Sequence, residues 1–285
     1  IRHAFEEHSR AEYVRAYDAD STAVRVREDV KDAIEDEADL RAVVEELRDI
    51  AAKNELLFIE DAAEAFGSTY EGEPVGTFGD AGVLSFCQNK IVVTGEGGAI
   101  ITDDDEIAAN ARLYRSHGRA PGDYFESVGS GEYISLGTNL RMSDLTAAIG
   151  CAQMEKVDEL IGGRQAAAQY MNEQLDDIGG VRVPRPIDGG THVYQLYTVE
   201  FNEEIDRQVV IDTLEEHGIS SKIYWDTPVH EMRYYRETLE GSIPKVPMTE
   251  TITDNILSLP IYPDLSPKQA DRIVAAVTDG VRQAR

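Results

Sequence analysis

The sequence predicts an α/β fold: a large α/β domain over residues 1–160 and a smaller C-terminal α/β domain over residues 161–285. Three observations predict it. Helical and strand-like apolar patterns alternate along the chain. Its 285 residues exceed what one hydrophobic core usually organises. A composition of 42% hydrophobic and 28% charged residues is that of an ordinary globular protein, neither disordered nor fibrous.

The elements follow in order. Residues 29–53 place Leu40, Val43, Val44, Leu47, Ile50 and Ala51 at helical spacing with acids between them, an amphipathic helix. Residues 56–60 (LLFIE) read as a short buried parallel strand running into Asp61. Apolar runs at 81–86 (AGVLSF) and 98–102 (GAIIT) are separated by glycine-rich turns and read as two more strands. In 103–118 (DDDEIAANARLYRSHG) an acidic first turn, apolar spacing and Gly118 as a stop make a complete helix signal. Residues 119–139 read as loop. The helical pattern resumes from Met142 to about Asp177, with breaks expected at Gly150 and at Gly162 and Gly163. Beyond Gly180, strand-like runs at 193–201 and 219–225 alternate with helix-like runs at 205–218 and 266–281.

Charge narrows the partners. With 27 Lys and Arg against 54 Asp and Glu, the net charge is −27, and such a surface repels phosphate backbones and anionic lipid. No nucleic acid and no membrane partner is expected. Only seven of the basic residues are lysines, and this acidic, lysine-poor balance reads as halophilic: at molar salt the Debye length falls to about 3 Å and carboxylate repulsion is screened. Cys87 and Cys151 cannot make a disulfide framework, and no apolar run reaches membrane-spanning length, so a cytoplasmic protein is expected. There is no P-loop, GxGxxG, HExxH or GxSxG, and the six histidines are scattered, so no metal site is expected.

What remains is a set of residues around strand ends. Asp61 and Ser85 close apolar runs, Lys90 follows five residues later, and TGEGG occupies 94–98. Ligands of open α/β sheets bind beyond the carboxyl ends of strands. Lys90 lies between an apolar strand and a glycine turn, where partial desolvation would favour a nucleophilic amine. A lysine for a carbonyl, an acid for a pyridinium nitrogen and a hydroxyl for a phosphate together describe a pyridoxal phosphate site.

The stretch from Ile59 to Thr102 (IEDAAEAFGSTYEGEPVGTFGDAGVLSFCQNKIVVTGEGGAIIT), with RSHGR at 115–119, LGTNLRMSDLTAAIGCAQMEKVDEL at 136–160 and ILSLPIYPDLS at 256–266, closely resembles the DegT/DnrJ/EryC1/StrS family, and most of all its perosamine synthetase-like members. The resemblance implies the pyridoxal phosphate-dependent transferase fold type I and transamination of a nucleotide-linked keto-sugar, of the 4-keto-6-deoxy-hexose class, with glutamate as the amino acid donor. It implies that Lys90 binds the cofactor covalently and shuttles a proton, that Asp61 holds the pyridine nitrogen protonated, that Glu64 packs beside the ring and that Ser85 contacts the phosphate. Asn139 matches an asparagine that reaches the cofactor of a neighbouring subunit, which implies a homodimer with shared active sites. On the substrate side the resemblance points to Arg141, His192, Tyr194 and Tyr224, with Trp225 and His230 beside them.

The sequence departs from the family in one respect. Members carry a small-residue motif opening a helix whose N–H groups cradle the phosphate, whereas residues 1–66 contain no glycine; Ser21–Thr22 is the formal substitute. The expectation is therefore an incomplete large domain, and the alternative to an aminotransferase is a truncated, catalytically weak or inactive paralogue serving as a structural or regulatory partner.

Overall fold

The computed structural model describes residues 40–120, 131–238 and 245–285. Ser21–Thr22 and the first part of the expected 29–53 helix lie outside them. The chain divides into two compact units, one with Val75–Leu84, Gly98–Arg141 and residues up to Ala62, the other with Ala63–Pro74, Ser85–Gly97 and Met142–Arg285.

In the first unit, α1 (Leu40–Lys53) ends where Glu55 turns left-handed at φ 54 and the Leu56 N–H reaches back to the Ala51 carbonyl at 2.9 Å, a C-terminal closure of the Schellman kind. Strand β1 (Ile59–Asp61) starts later than the apolar run suggests, and runs parallel to β4 (Ala81–Ser85), with Ile59 opposite Ala81 and Asp61 opposite Val83. The sequence between these two strands forms the hairpin of β2 (Thr69–Tyr70) and β3 (Glu73–Pro74), which belongs to the second unit. β5 (Gly98–Ile101) completes a sheet of order β1-β4-β5. The Glu60 carboxylate accepts the N–H groups of Gly76, Phe78 and Gly79 at 2.9, 2.5 and 2.7 Å, fixing the approach to β4. Helix α2 (Asp105–Tyr114) begins at Asp104, whose side chain accepts the Ile107 N–H, as its acidic start suggests.

In the second unit the helical stretch after Met142 is two helices, α3 (Asp144–Met154) and α4 (Val157–Leu175). The break falls at Glu155–Lys156 and not at a glycine. Gly163 serves a close approach instead: a Cβ there would stand 2.4 Å from the Pro263 carbonyl oxygen. Strands β6 (Val181–Arg182), β7 (Tyr197–Phe201) and β8 (Ile256–Leu259) make an antiparallel sheet in that order. Helices α4, α5 (Arg207–Glu216) and α8 (Pro267–Gln283) build its core, which gathers Met171, Leu175, Tyr197, Phe201, Leu214 and Val277. The run at 219–225 contributes only a bridge from Lys222 to Ser258. Short helices α6 (Arg233–Thr238) and α7 (Pro247–Asn255) precede β8. Among the described residues no helix is long and apolar enough to cross a membrane.

Candidate active site

Lys90 sits on a loop that closes on itself. After Ser85, the last residue of β4, the Phe86 N–H donates to the Gly97 carbonyl at 2.8 Å and the Thr94 N–H to the Phe86 carbonyl at 2.9 Å. Thr94 Oγ1 donates to the Glu96 carbonyl at 2.8 Å. Gly97 is at φ 153, and a Cβ on it would meet Met142 Cε at 2.7 Å and Thr94 Oγ1 at 2.8 Å, so the glycine of the TGEGG turn is required by both conformation and space. Ile91 and Val92 are buried and anchor the loop beyond the lysine, and the Lys90 N–H donates to the Cys87 carbonyl at 3.0 Å to make a turn before it.

The Lys90 side chain is 13% exposed and its Nζ donates to Glu64 Oε1 at 2.6 Å. A mostly buried ammonium with a half-exposed carboxylate beside it is a pair that screening by water weakens only on one side. The sequence reading rests the reactivity of Lys90 on desolvation alone; the structure adds this carboxylate partner. Ser85 Oγ accepts the Cys87 N–H at 3.4 Å. Thus Glu64, Ser85 and Lys90 all belong to the second unit, and the structure brings Glu64 and Lys90 into contact.

In the first unit, Asp61 is the last residue of β1. Asn139 bridges to Ser116, its Oδ1 accepts the Arg141 N–H at 3.4 Å, and Arg141 Nη1 donates to Ser116 Oγ at 2.9 Å. Asn139 and Arg141 are therefore parts of one exposed turn.

His192 and Tyr194 line a cavity of about 650 Å³ in the second unit with Gln165, Asn172, Glu173 and Arg185. The Tyr194 N–H donates to His192 Nδ1 at 2.8 Å, so the neutral ring carries its proton on Nε2. Burial lowers the His192 pKa below its ordinary value, and burial raises that of Tyr194. Tyr224 lies apart from this pair, with Lys222 Nζ 4.6 Å over its ring and its edge against Trp225. One group of three potential metal donors is present among the described residues, His230, Glu231 and Glu250. Its carboxylates are engaged by Arg236 at 3.1 Å and by the Val246 N–H at 3.2 Å, and the buried His230 Nε2 lies 3.5 Å from Glu250 Oε1 with no hydrogen-bond partner among the described residues.

Sequence reasoning missed Gln195 and Arg164. Gln195 lies inside a run that reads as strand; it is 6% exposed, and its Nε2 donates to the carbonyl of Asn89, the residue before Lys90. Arg164, on α4, donates through Nη1 to the carbonyls of Tyr194, Gln195 and Ile261 at 3.1, 3.5 and 3.2 Å. A buried polar residue in an apolar run was the available signal.

A short sheet with a parallel pair at its first edge, an antiparallel C-terminal sheet, and a lysine on a glycine-closed loop after a strand define a fold type I transferase. Residues 40–278 match the model of the DegT/DnrJ/EryC1/StrS aminotransferase family, and the chain belongs to that family. Residues 1–47 match a second model, a family of unknown function (DUF7565). The GDP-perosamine synthase of Caulobacter vibrioides is 36% identical over 232 residues, 80% of this chain and 60% of its own length. The spore coat polysaccharide biosynthesis protein SpsC of Bacillus subtilis is 32% identical over 243 residues, 82% of this chain and 62% of its own. Among solved structures, Helicobacter pylori PseC, an aminotransferase involved in the biosynthesis of pseudoaminic acid, superposes with a TM-score of 0.77 at 26% identity, covering 84% of this chain and 63% of that one. The chain thus spans somewhat under two thirds of the length of these relatives.

Proposed function

We propose that this protein is a pyridoxal phosphate-dependent sugar aminotransferase that moves an amino group from an amino acid donor such as glutamate to a nucleotide-linked keto-sugar of the 4-keto-6-deoxy-hexose class. The observation that carries the reading is Lys90, mostly buried on its closed loop and ion-paired to Glu64 at 2.6 Å, in a chain of this family. The residues that the family resemblance assigns are, by type, those the cofactor calls for: an amine for its aldehyde in Lys90, a carboxylate for its ring nitrogen in Asp61, a hydroxyl for its phosphate in Ser85, and Asn139 for the phosphate in a homodimer. When bound, pyridoxal 5′-phosphate supplies an electron sink that lets an amino group pass between carbon skeletons. Lys90 would hold the cofactor by its aldehyde, and its amine would be the group that moves a proton at the substrate carbon. Glu64, 2.6 Å from Nζ, would orient the Lys90 side chain. Arg141, His192, Tyr194 and Tyr224 are assigned to the sugar nucleotide, with arginine suited to its diphosphate.

The same reading divides the chain near residue 160 and places it in the cytoplasm of a salt-rich cell. A second reading, a catalytically weak paralogue acting as a structural or regulatory partner, draws on the absence of glycine from residues 1–66 and the match of residues 1–47 to another family. Incubation with pyridoxal 5′-phosphate followed by borohydride and peptide mapping separates the two. Selective label on Lys90, together with amino transfer in a panel of nucleotide keto-sugars, supports the enzyme. Label on no lysine, or equally on all seven, sinks it.

A further inference from the structure

The segment from Thr191 to Gln195 is held more tightly than a substrate-facing wall requires. Thr191 is tied to Thr69 of β2 by its backbone N–H, 2.8 Å from the Thr69 carbonyl, and by its hydroxyl, which accepts the Thr69 N–H at 2.8 Å. The His192 carbonyl accepts Gln165 Nε2 at 3.0 Å. Tyr194 is left-handed at φ 49, a conformation that a bulky L residue adopts only where its surroundings impose it. Those surroundings are His192 Nδ1 on its N–H and Arg164 on its carbonyl. The outcome of this bracing is the direction of the next side chain: Gln195 points its carboxamide at the Asn89 carbonyl. Its Oε1 is buried with no hydrogen-bond partner among the described residues. Burying a half-satisfied amide is unfavourable, so the single bond it makes is what the placement achieves.

We infer that Gln195 is a positioning residue for Lys90: it grips the peptide carbonyl just before the lysine, and Arg164, His192 and Tyr194 form the brace that aims it. The loop is then fixed at three points, at its own closure through Phe86 and Gly97, at the buried Ile91–Val92 pair and at Asn89. With those points fixed, the short Cys87–Lys90 turn leaves the lysine backbone one position from which to deliver its amine. This rests on the assignment of Lys90 as the cofactor lysine, and it gives His192 and Tyr194 a task that acts through the lysine loop.

Two measurements on the full chain test it. Hydrogen exchange of the Lys90 amide, free of cofactor, reads the grip directly. Gln195→Met, which keeps the length but removes the amide, and Gln195→Glu, which replaces the donor by an acceptor, are each expected to speed that exchange about tenfold, the equivalent of one buried hydrogen bond. Gln169→Met, at an exposed glutamine on the same α4 helix as Arg164, is expected to leave it unchanged. Borohydride trapping of pyridoxal 5′-phosphate on Lys90 is expected to slow by a similar factor in both Gln195 variants. Unchanged exchange and unchanged trapping in both variants, with trapping at Lys90 intact in the wild-type chain, overturn this inference and leave the lysine assignment standing. No label on Lys90 in the wild-type chain overturns that assignment, and the exchange rates then decide the grip alone.

Discussion

The two three-stranded sheets among the described residues are built from strands of similar length but meet water differently. In the antiparallel sheet, Tyr197, Val199 and Phe201 of β7 point one way along the strand and are almost wholly buried, with three helices supplying the rest of the core. In the β1-β4-β5 sheet, Ile59 of β1 is 56% exposed and Ile100 of β5 is 55% exposed. Its β1–β4 pair is parallel, and parallel strands are normally covered on both faces, so this sheet presents apolar strand residues that the described residues leave uncovered. Among the described residues the large buried core therefore lies in the second unit, and the β1-β4-β5 sheet offers strand ends more than it offers a core.

That contrast can be tested by substitution. Phe201→Ala, in the closed core, is expected to cost about 3–5 kcal/mol in chemical denaturation; a cost below 1 kcal/mol would mean that β7 is not where the molecule is held together. Tyr197→Phe removes the hydroxyl that donates to Asn172 Oδ1 at 2.6 Å and leaves a buried acceptor unpaired, so about 1–3 kcal/mol is expected. Acid should loosen this unit first. Burial depresses the His192 pKa, so the unfolded chain takes up that proton more readily than the folded one. The stability contributed by a neutral His192 is present above the unfolded value of about 6.5 and is lost as pH falls below it. His192→Asn, whose Oδ1 can replace Nδ1 as the acceptor for Tyr194, should flatten the pH dependence of the denaturation midpoint; an identical curve would remove His192 from the explanation. The smallest effect is expected in the open sheet, where Ile100→Thr should change stability by about 0.5 kcal/mol or less. A large loss there would reveal cover on that face and dissolve the contrast. Across both units, a net charge of −27 predicts a higher thermal midpoint in molar KCl than at low salt, and a flat response would argue against adaptation to salt.

Much of this was legible from residues alone. The acidic start of α2, the glycine turn after Lys90 and the placing of Asp61 and Ser85 at strand ends follow from local chemistry, because each depends on neighbours within a few positions. The α3–α4 junction did not follow. Gly150 and Gly163 read as breaks, yet Gly163 is spent on an approach to the Pro263 backbone 100 residues away. Gln195 was hidden for the same reason: its partner is 106 residues distant, and within its own run it looks like one polar position of a strand. The Glu64 contact to Lys90 lay between, since the family resemblance named both residues but only the fold sets them 2.6 Å apart.

The loop from Ser85 to Gly97 is a ring whose circumference is set by the hydrogen bonds at its neck. Side chains that face outward from it can change freely, but the number of residues cannot, because one more or one fewer would part Phe86 from Gly97 before it moved anything else. Insertions and deletions in this protein should therefore avoid those thirteen positions, and the spacing from strand to lysine to glycine is a count that the ring itself keeps.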